Sequence, residues 1–316
     1  MTMAAPRLDV VGLGYCSWDY LGIVDAIPEF DAPTVSLADF ATSGGGPVAT
    51  ALVTLARLGA RTGFIGAIGD DDAGWQCKQA FVQDGVDFQR MRVHTGVRTP
   101  ICMILVQSGS GRRSILCYRG TCPEVELEPA DYSYLALARF LHLDGHHVSA
   151  AIEAARLMHG IGGTVVLDVN RPRPRLDELL PWVDVLITNA YFPGAYTGQQ
   201  NLDHAALLLQ QTGVRLVVTT LGEKGCKYFT AEGQWYVPGF SVPVVDTTGA
   251  GDAFHGAFIY GLLQNWPLEH TATFANAVAA LNCTALGGRA ALPRLEQVFA
   301  FLRSTGRWDP TIALNQ

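Results

Sequence analysis

The sequence predicts an α/β fold: a central, mostly parallel sheet with helices on both faces and a small accessory β-sheet. Three observations carry this. From about residue 140 onward, short apolar runs alternate with helical stretches, the pattern of parallel strands joined by crossover helices. The chain has 316 residues, 49% hydrophobic and only 16% charged, which is enough to fill a large buried core. Two glycine-rich runs, Ser43–Pro47 and Asp246–Asp252, each stand directly before an apolar, helix-like stretch.

Taken in order, Leu8–Gly14 reads as the first buried strand. The piece at about 16–42 is less regular and alternates polar and apolar residues. Pro47–Leu58 predicts a helix, with proline in its first turn and Gly59 to close it. Thr62–Ile68 follows as a strand and Ala73–Gln83 as a helix. Pro100–Gln107 and Arg113–Tyr118 are strand-like runs joined by the flexible loop Ser108–Gly111, and with 16–42 they are expected to form the accessory sheet. Phe140–Leu143, Thr164–Leu167, Val185–Ile187 and Leu216–Val218 are short apolar strands. Residues 249–303 read as mostly helical, broken near Asn265–Pro267 and Gly287–Gly288. No long linker, low-complexity segment or internal repeat divides the chain. The expectation is one domain over 1–316, with lid segments at about 16–42 and 97–120.

Several classes of function are disfavoured. The formal net charge of -7 is spread along the chain, which argues against nucleic acid as the main partner but leaves room for a local basic pocket. No apolar stretch reaches the roughly 18 residues that a membrane span needs. The N-terminus carries no secretory pattern, so a cytoplasmic location is expected. Cys16, Cys77, Cys102, Cys117, Cys122, Cys226 and Cys283 have neither Cys-x-x-Cys spacing nor a histidine placed to complete a zinc pattern. They read as small core residues in a reducing compartment. Gly12-x-Gly14 lacks the third glycine of a dinucleotide fingerprint, that position being Ser17, and neither a P-loop nor a Gly-x-Ser-x-Gly motif occurs.

The run Asp246-Thr247-Thr248-Gly249-Ala250-Gly251-Asp252 carries the most chemistry. A helix start offers unpaired N–H groups and the positive end of a dipole, both suited to an anion. Glycine lets backbone approach that anion closely. Asp252 would stand beside it as a proton acceptor, and an anion next to a base suggests phosphoryl transfer. The triple glycine Gly44–Gly46 would let a substrate lie against bare backbone; alone, it reads equally as a flexible turn.

With Ala56–Gly59, Gly66 and Gly69–Gly74, these two runs resemble the ribokinase-type (pfkB) carbohydrate kinases from Val10 to about Pro293. Gly44–Ala51, Cys283-Thr284 and Gly287–Ala290 look closest to the 6-deoxy-6-sulfofructose kinase branch. The resemblance implies a ribokinase-like three-layer sandwich with a β lid over the sugar. It implies ATP as phosphoryl donor, with Mg2+ and a monovalent cation, usually K+.

The resemblance also assigns roles. Asp252 matches the catalytic base, and Gly249, Ala250 and Gly251 match the anion hole that holds charge developing during transfer. Thr220, Gly222 and Gly225 would line the ATP site, with Asn276 near the adenosine. Asp246, Thr248, Cys283 and Gly288 match the loops that hold the monovalent cation through oxygens. On the sugar side stand Asp19, whose carboxylate can accept paired hydroxyls, then Gly45, Gly46 and Thr50. Arg119, at the end of a lid strand, could meet an anionic group on the substrate. Asn170 belongs to an Asp-x-Asn run, and the Arg171–Arg175 stretch after it could hold phosphate or an anionic sugar. Many members carry Asn-x-x-Glu where this chain has Asn189-Ala-Tyr-Phe192, so Mg2+ is expected to be held through waters and ATP oxygens. His146-His147 would face opposite sides of a strand, which favours structural or substrate-edge roles over a metal pair. Lid pairing through Ile101–Val106 would give a homodimer. A nucleoside kinase of the same fold and a non-catalytic sugar- or nucleotide-binding regulator stay open as alternatives, although the intact Asp252 argues against the regulator.

Overall fold

The computed structural model describes residues 8–31 and 33–308; residues 1–7, on which the expectation about a secretory pattern falls, residue 32 and residues 309–316 lie outside the described residues. In chain order the strands are β1 (Val10–Leu13), β2 (Ser17–Val24), β3 (Asp39–Gly45), β4 (Thr62–Gly69), β5 (Asp87–His94), β6 (Ile101–Gln107), β7 (Arg113–Tyr118), β8 (Phe140–Leu143), β9 (Thr164–Asp168), β10 (Val185–Asn189), β11 (Leu216–Thr220), β12 (Gly225–Thr230) and β13 (Gly233–Pro238).

Nine of them form one sheet in the order β13-β12-β11-β10-β9-β8-β1-β4-β5, parallel except where β12 pairs antiparallel with β11 and β13. Successive side chains on a strand face opposite sides, and the core divides accordingly. Val10, Val166, Val185, Ile187 and Val218 pack on one face against helices 47–57, 72–84, 250–263, 268–282 and 295–304. Val11, Leu13, Val165, Leu167, Leu186 and Val217 pack on the other, against helices that include 148–160 and 202–210. Both faces are covered, as apolar runs in a parallel sheet require, and the result is a three-layer α/β/α sandwich.

The expected strands at 8–14, 62–68, 140–143, 164–167, 185–187 and 216–218 all form, with small shifts at their ends. The helix from Pro47 ends at Arg57, and Gly59 takes a φ of 101° just beyond it. The expected helical break at 265–267 is present, with Asn265 at φ 55°. The second break is longer than the glycine pair alone and spans residues 283–294. Strands β5, β12 and β13 are additions that the sequence reading lacks.

The second sheet holds four strands in the order β3-β2-β6-β7, with β2–β3 and β6–β7 antiparallel and β2–β6 parallel. It combines the two segments expected to form the accessory sheet. The Ser43–Gly45 stretch continues β3; the backbone turns only at Gly46, with φ 93°, before the helix begins at Pro47. Inward residues Leu21, Cys102, Ile104 and Val106 pack on Leu286, a thin core of its own. Tyr20, Met103 and Leu116 form an exposed row on the outer face.

Candidate active site

Neighbouring strands run on in opposite directions across the large sheet from β1 and β8: β1 leads toward β4 and β8 toward β9. Ligands of open α/β sheets bind outside the carboxyl ends of strands at such a switch point. There Asp144, following β8, accepts hydrogen bonds from the N–H of Tyr15 (2.8 Å) and of His146 (3.0 Å). His146 also lies 3.1 Å from the Asp144 carboxylate and stacks on Tyr15. Burial opposes the charge of Asp144, but His146 and these N–H groups outweigh it and hold the carboxyl below its usual range. His147 turns elsewhere, with φ 51° and its Nδ1 3.0 Å from Glu124. The two histidines do not share a ligand, and among the described residues no group of three His, Cys, Asp or Glu side chains could hold a metal.

One end of the site is built on the start of helix 250–263. Asp246 is fully buried; one carboxylate oxygen accepts from Thr248 N–H (2.8 Å) and Oγ1 (2.7 Å), the other from Gly287 N–H (2.9 Å). This ties residues 246–248 to the loop after helix 268–282. Gly249 caps the helix at φ 72°, and a Cβ there would strike the Gly288 backbone, so only glycine fits. Ala253 starts the helical ladder on the Gly249 carbonyl, so the amides of Gly251 and Asp252 have no intrahelical acceptor. A Cβ on Gly251 would meet nothing within 4 Å. The backbone there faces open space.

Asp252 lies half-buried on this first turn. Burial pushes its carboxyl up to about 6; Arg113 and Arg289 pull it down, while Asp19 and Asp144 add to the rise. Arg113 reaches from β7 to donate to Thr247 Oγ1 (2.7 Å). Arg112, Arg113, Ile115, Arg171 and Thr247 line a cleft of about 460 Å3 between the small sheet and the helix start. None of Arg112, Arg113, Arg119 and Arg171 forms an ion pair with a carboxylate among the described residues. Arg112, Arg113 and Arg171 gather around the cleft instead.

On the facing side, Asp19 is 6% exposed and accepts from Ser17 Oγ at 2.8 Å. Burial raises its pKa, against the pull of Ser17 and Arg289. Its carboxylate occupies the space a Cβ on Gly45 would need. Arg289 joins the two sides: buried, it donates to the Gly45 carbonyl (2.9 Å) and to Thr50 Oγ1 (3.1 Å), and its charge acts on both Asp19 and Asp252. Thr50 therefore touches Arg289, on the inner side of helix 47–57. Gly46 marks the turn into that helix, and Arg119 stands exposed just past β7.

Other expected residues sit farther along the same edge of the sheet. Thr220 ends β11 and donates to the Thr188 carbonyl (3.3 Å); Gly222 and Gly225, both at positive φ, bracket a single 3-10 turn. Asn276 is buried and donates to the carbonyls of Val237 (3.2 Å) and Pro238 (3.3 Å), holding the end of β13. The Cys283 carbonyl accepts from Val245 N–H (2.8 Å), and its thiol turns to Ala279. Next to it, Asn282 donates to the Thr248 carbonyl (3.1 Å), while its own buried Oδ1 has no donor among the described residues. Asn170 bridges β9 and β10, donating to Asp168 (2.8 Å) and accepting from Asn189 N–H (2.9 Å). Asn189 Oδ1 accepts from the N–H groups of Tyr191 and Phe192, and the Phe192 ring is buried in the core. Residue 192 thus packs the core and offers no ligand.

Sequence reasoning missed Arg289, Arg113 and the buried pair Asp168–His255. Arg289 had one signal, an arginine directly after two glycines. Asp168 is 2% exposed, 3.5 Å from His255 Nε2, and its pKa is raised by burial and by the charges of Asp252 and Asp144. Burial also holds His255 and His142 in the neutral form, His142 down to about 4.

Three comparisons bear on this arrangement. The family profile described as "pfkB family carbohydrate kinase" matches residues 7–295. An ATP-dependent ribose-1-phosphate kinase from Halopiger xanaduensis is 32% identical over 302 residues, covering 93% of this chain and 97% of that protein. A ribokinase from Haemophilus influenzae is 29% identical, covering 88% and 94%. Among solved structures, Arabidopsis thaliana ribokinase complexed with ribose and ATP superposes with a TM-score of 0.82 at 26% identity, covering 94% and 99% of the two chains.

Proposed function

The chain belongs to the pfkB family of carbohydrate kinases, and from that premise we propose that it transfers the γ-phosphoryl group of ATP to a primary hydroxyl of a small sugar or sugar derivative. One observation carries the reading. Asp252 stands at the amide end of helix 250–263, basic enough to take a proton near neutral pH, with the Asp19 carboxylate on the facing side.

In this reading Asp19 accepts hydrogen bonds from sugar hydroxyls and orients the acceptor. Asp252 takes the proton of the attacking hydroxyl, which calls for hydrogen-bond reach more than for a large pKa shift. The amides of Gly249–Gly251 hold charge that develops on the transferring group, and such preorganised donors are worth about 10²–10³ in rate. Arg113 and Arg289 offset the negative charge between the two carboxylates. The nucleotide lies along Thr220, Gly222, Gly225 and Asn276.

Phe192 offers no oxygen, so Mg2+ would be held by ATP oxygens and waters and would supply charge screening of the phosphates. The loops at Asp246, Thr248, Cys283 and Gly288 suit a monovalent cation. The unmatched buried oxygen of Asn282 beside them supports that placement. Arg112, Arg113, Arg119 and Arg171, uncommitted to carboxylates, favour an acceptor that carries its own anionic group, in keeping with the sulfofructose-kinase resemblance. A nucleoside would set its base against this charged, weakly apolar surface, so we rank the nucleoside kinase second. The exposed row Tyr20, Met103 and Leu116 supports a homodimer through the small sheet.

The test is ADP release with MgATP and K+ over a panel of neutral sugars, sugar phosphates, sugar sulfonates and nucleosides. Turnover confined to nucleosides, or absent throughout while ATP still binds, would reject the reading.

A further inference from the structure

The register of the small sheet sets four side chains in one row across it: Ser43 on β3, Asp19 on β2, Cys102 on β6 and Cys117 on β7. Directly paired residues share a face, so this row looks inward with Asp19, while the neighbouring row, Tyr20, Met103 and Leu116, looks out. Cys102 is paired directly with Asp19 on one side and with Cys117 on the other. Cys102 is buried and Cys117 exposed, and both are free thiols. Opposed Cα atoms of an antiparallel pair lie about 4.5–5.5 Å apart, inside the roughly 4.4–6.8 Å range that a disulfide spans without backbone movement.

We propose that Cys102 and Cys117 form an oxidisable dithiol site on the inner face of the small sheet, whose closure to a disulfide weakens the sugar side of the cleft. The regulatory half of this rests on the kinase reading above; the thiol chemistry does not. The acidity of the pair agrees with the geometry: the Cys117 thiol is drawn down to about 7, first by the hydrogen bond from Cys102 and then by Arg119 and Arg171, against burial and Asp19. The thiolate is the reactive form, and a resolving thiol stands beside it.

With a hydroperoxide as oxidant, the Cys117 thiolate attacks the distal peroxide oxygen. The O–O bond breaks, Cys117 becomes a sulfenic acid, and hydroxide or alkoxide leaves. The Cys102 sulfur then attacks the Cys117 sulfur, the S–O bond breaks, and the departing hydroxide takes the Cys102 thiol proton to leave as water. Two thiols lose two electrons and the peroxide gains them. The new bond draws the Cys102 sulfur toward β7 and away from Asp19, and it ties edge strand β7 to β6. Losing one hydrogen bond to a charged group corresponds to a rise of about tenfold in the KM of the sugar.

The test treats the full chain with substoichiometric hydrogen peroxide, blocks remaining thiols by alkylation and maps the cysteines by mass spectrometry. The expected first product is a Cys102–Cys117 disulfide, reversed by dithiothreitol and absent from Cys117→Ser. First oxidation at another cysteine, or Cys117 sulfinic acid with Cys102 still free, overturns the site. Comparison of the oxidised and reduced protein with the best panel sugar then tests the consequence. A mapped disulfide with unchanged KM and kcat overturns the regulatory half. The mapping needs no turnover, so a failure of the kinase reading shows separately from a failure of the dithiol.

Discussion

The two ends of the cleft are built in different ways. The proposed phosphoryl end rests on the main body: Asp246 has no exposed surface, both its oxygens are bonded, and helix 250–263 behind it is buried along most of its length. The proposed sugar end hangs from a four-stranded sheet with a core of a few residues and an edge strand, β7, whose residues are largely exposed. Chemistry common to many acceptors can sit on the rigid part, because it depends on placement to within a fraction of an ångström. Recognition of one acceptor can sit on the thin part, where inward residues exchange without disturbing the main core.

The largest effect that would break this division is at Asp252. Asp252→Asn is expected to lower kcat by about 10²–10⁴, with the affinity of a non-hydrolysable ATP analogue retained in calorimetry. Near-normal turnover would remove the base from the phosphoryl end. Gly251→Val comes next: the added side chain meets no protein atom, so the melting temperature is expected to hold while kcat falls by about 10². A large loss of thermal stability would mean that the site is not open space.

The third test sharpens the link between the ends. Asp252 works as a carboxylate, present above its pKa, so kcat/KM of the wild type is expected to fall tenfold per pH unit below about 6. Arg289 favours the charged form; in Arg289→Met that acid limb should move to higher pH, and the sugar KM should rise together with it. An unmoved limb would separate Arg289 from Asp252. The smallest effect is expected on the outer face. Met103→Glu with Leu116→Glu should convert a dimer to a monomer in light scattering with little change in kcat, and a monomeric wild type would dismiss that interface.

Much of the main body was legible in the sequence. Strands β1, β4 and β8–β11 are covered on both faces, so they read as apolar runs. Strand β5 did not: its Arg90 and Arg92 point to Asp131 and Glu128, acids some forty positions away that no local pattern links to it. The hairpin β12–β13 lies at the sheet edge, where one strand is mostly exposed and the apolar signal is weak. The glycines and Asp252 of the candidate site could be read because they are contiguous. Arg289 could not, since its partners Thr50 and Gly45 lie 239 and 244 positions away. Nor did the cysteine reading anticipate a pair set face to face by strand register.

The small sheet joins the body at Ser17 and Ile101, which start their strands, and at Gly45 and Tyr118, which end theirs, all at one end of the sheet. At the opposite end, Gly111 accepts from Thr247 N–H (3.2 Å) and Oγ1 (2.9 Å), and Arg113 donates to Thr247. That threonine belongs to the run Asp246–Asp252. These contacts tie the far end of the small sheet to the stretch that leads into Asp252. A displacement of the small sheet that broke these three polar contacts would therefore reach the backbone that leads into Asp252.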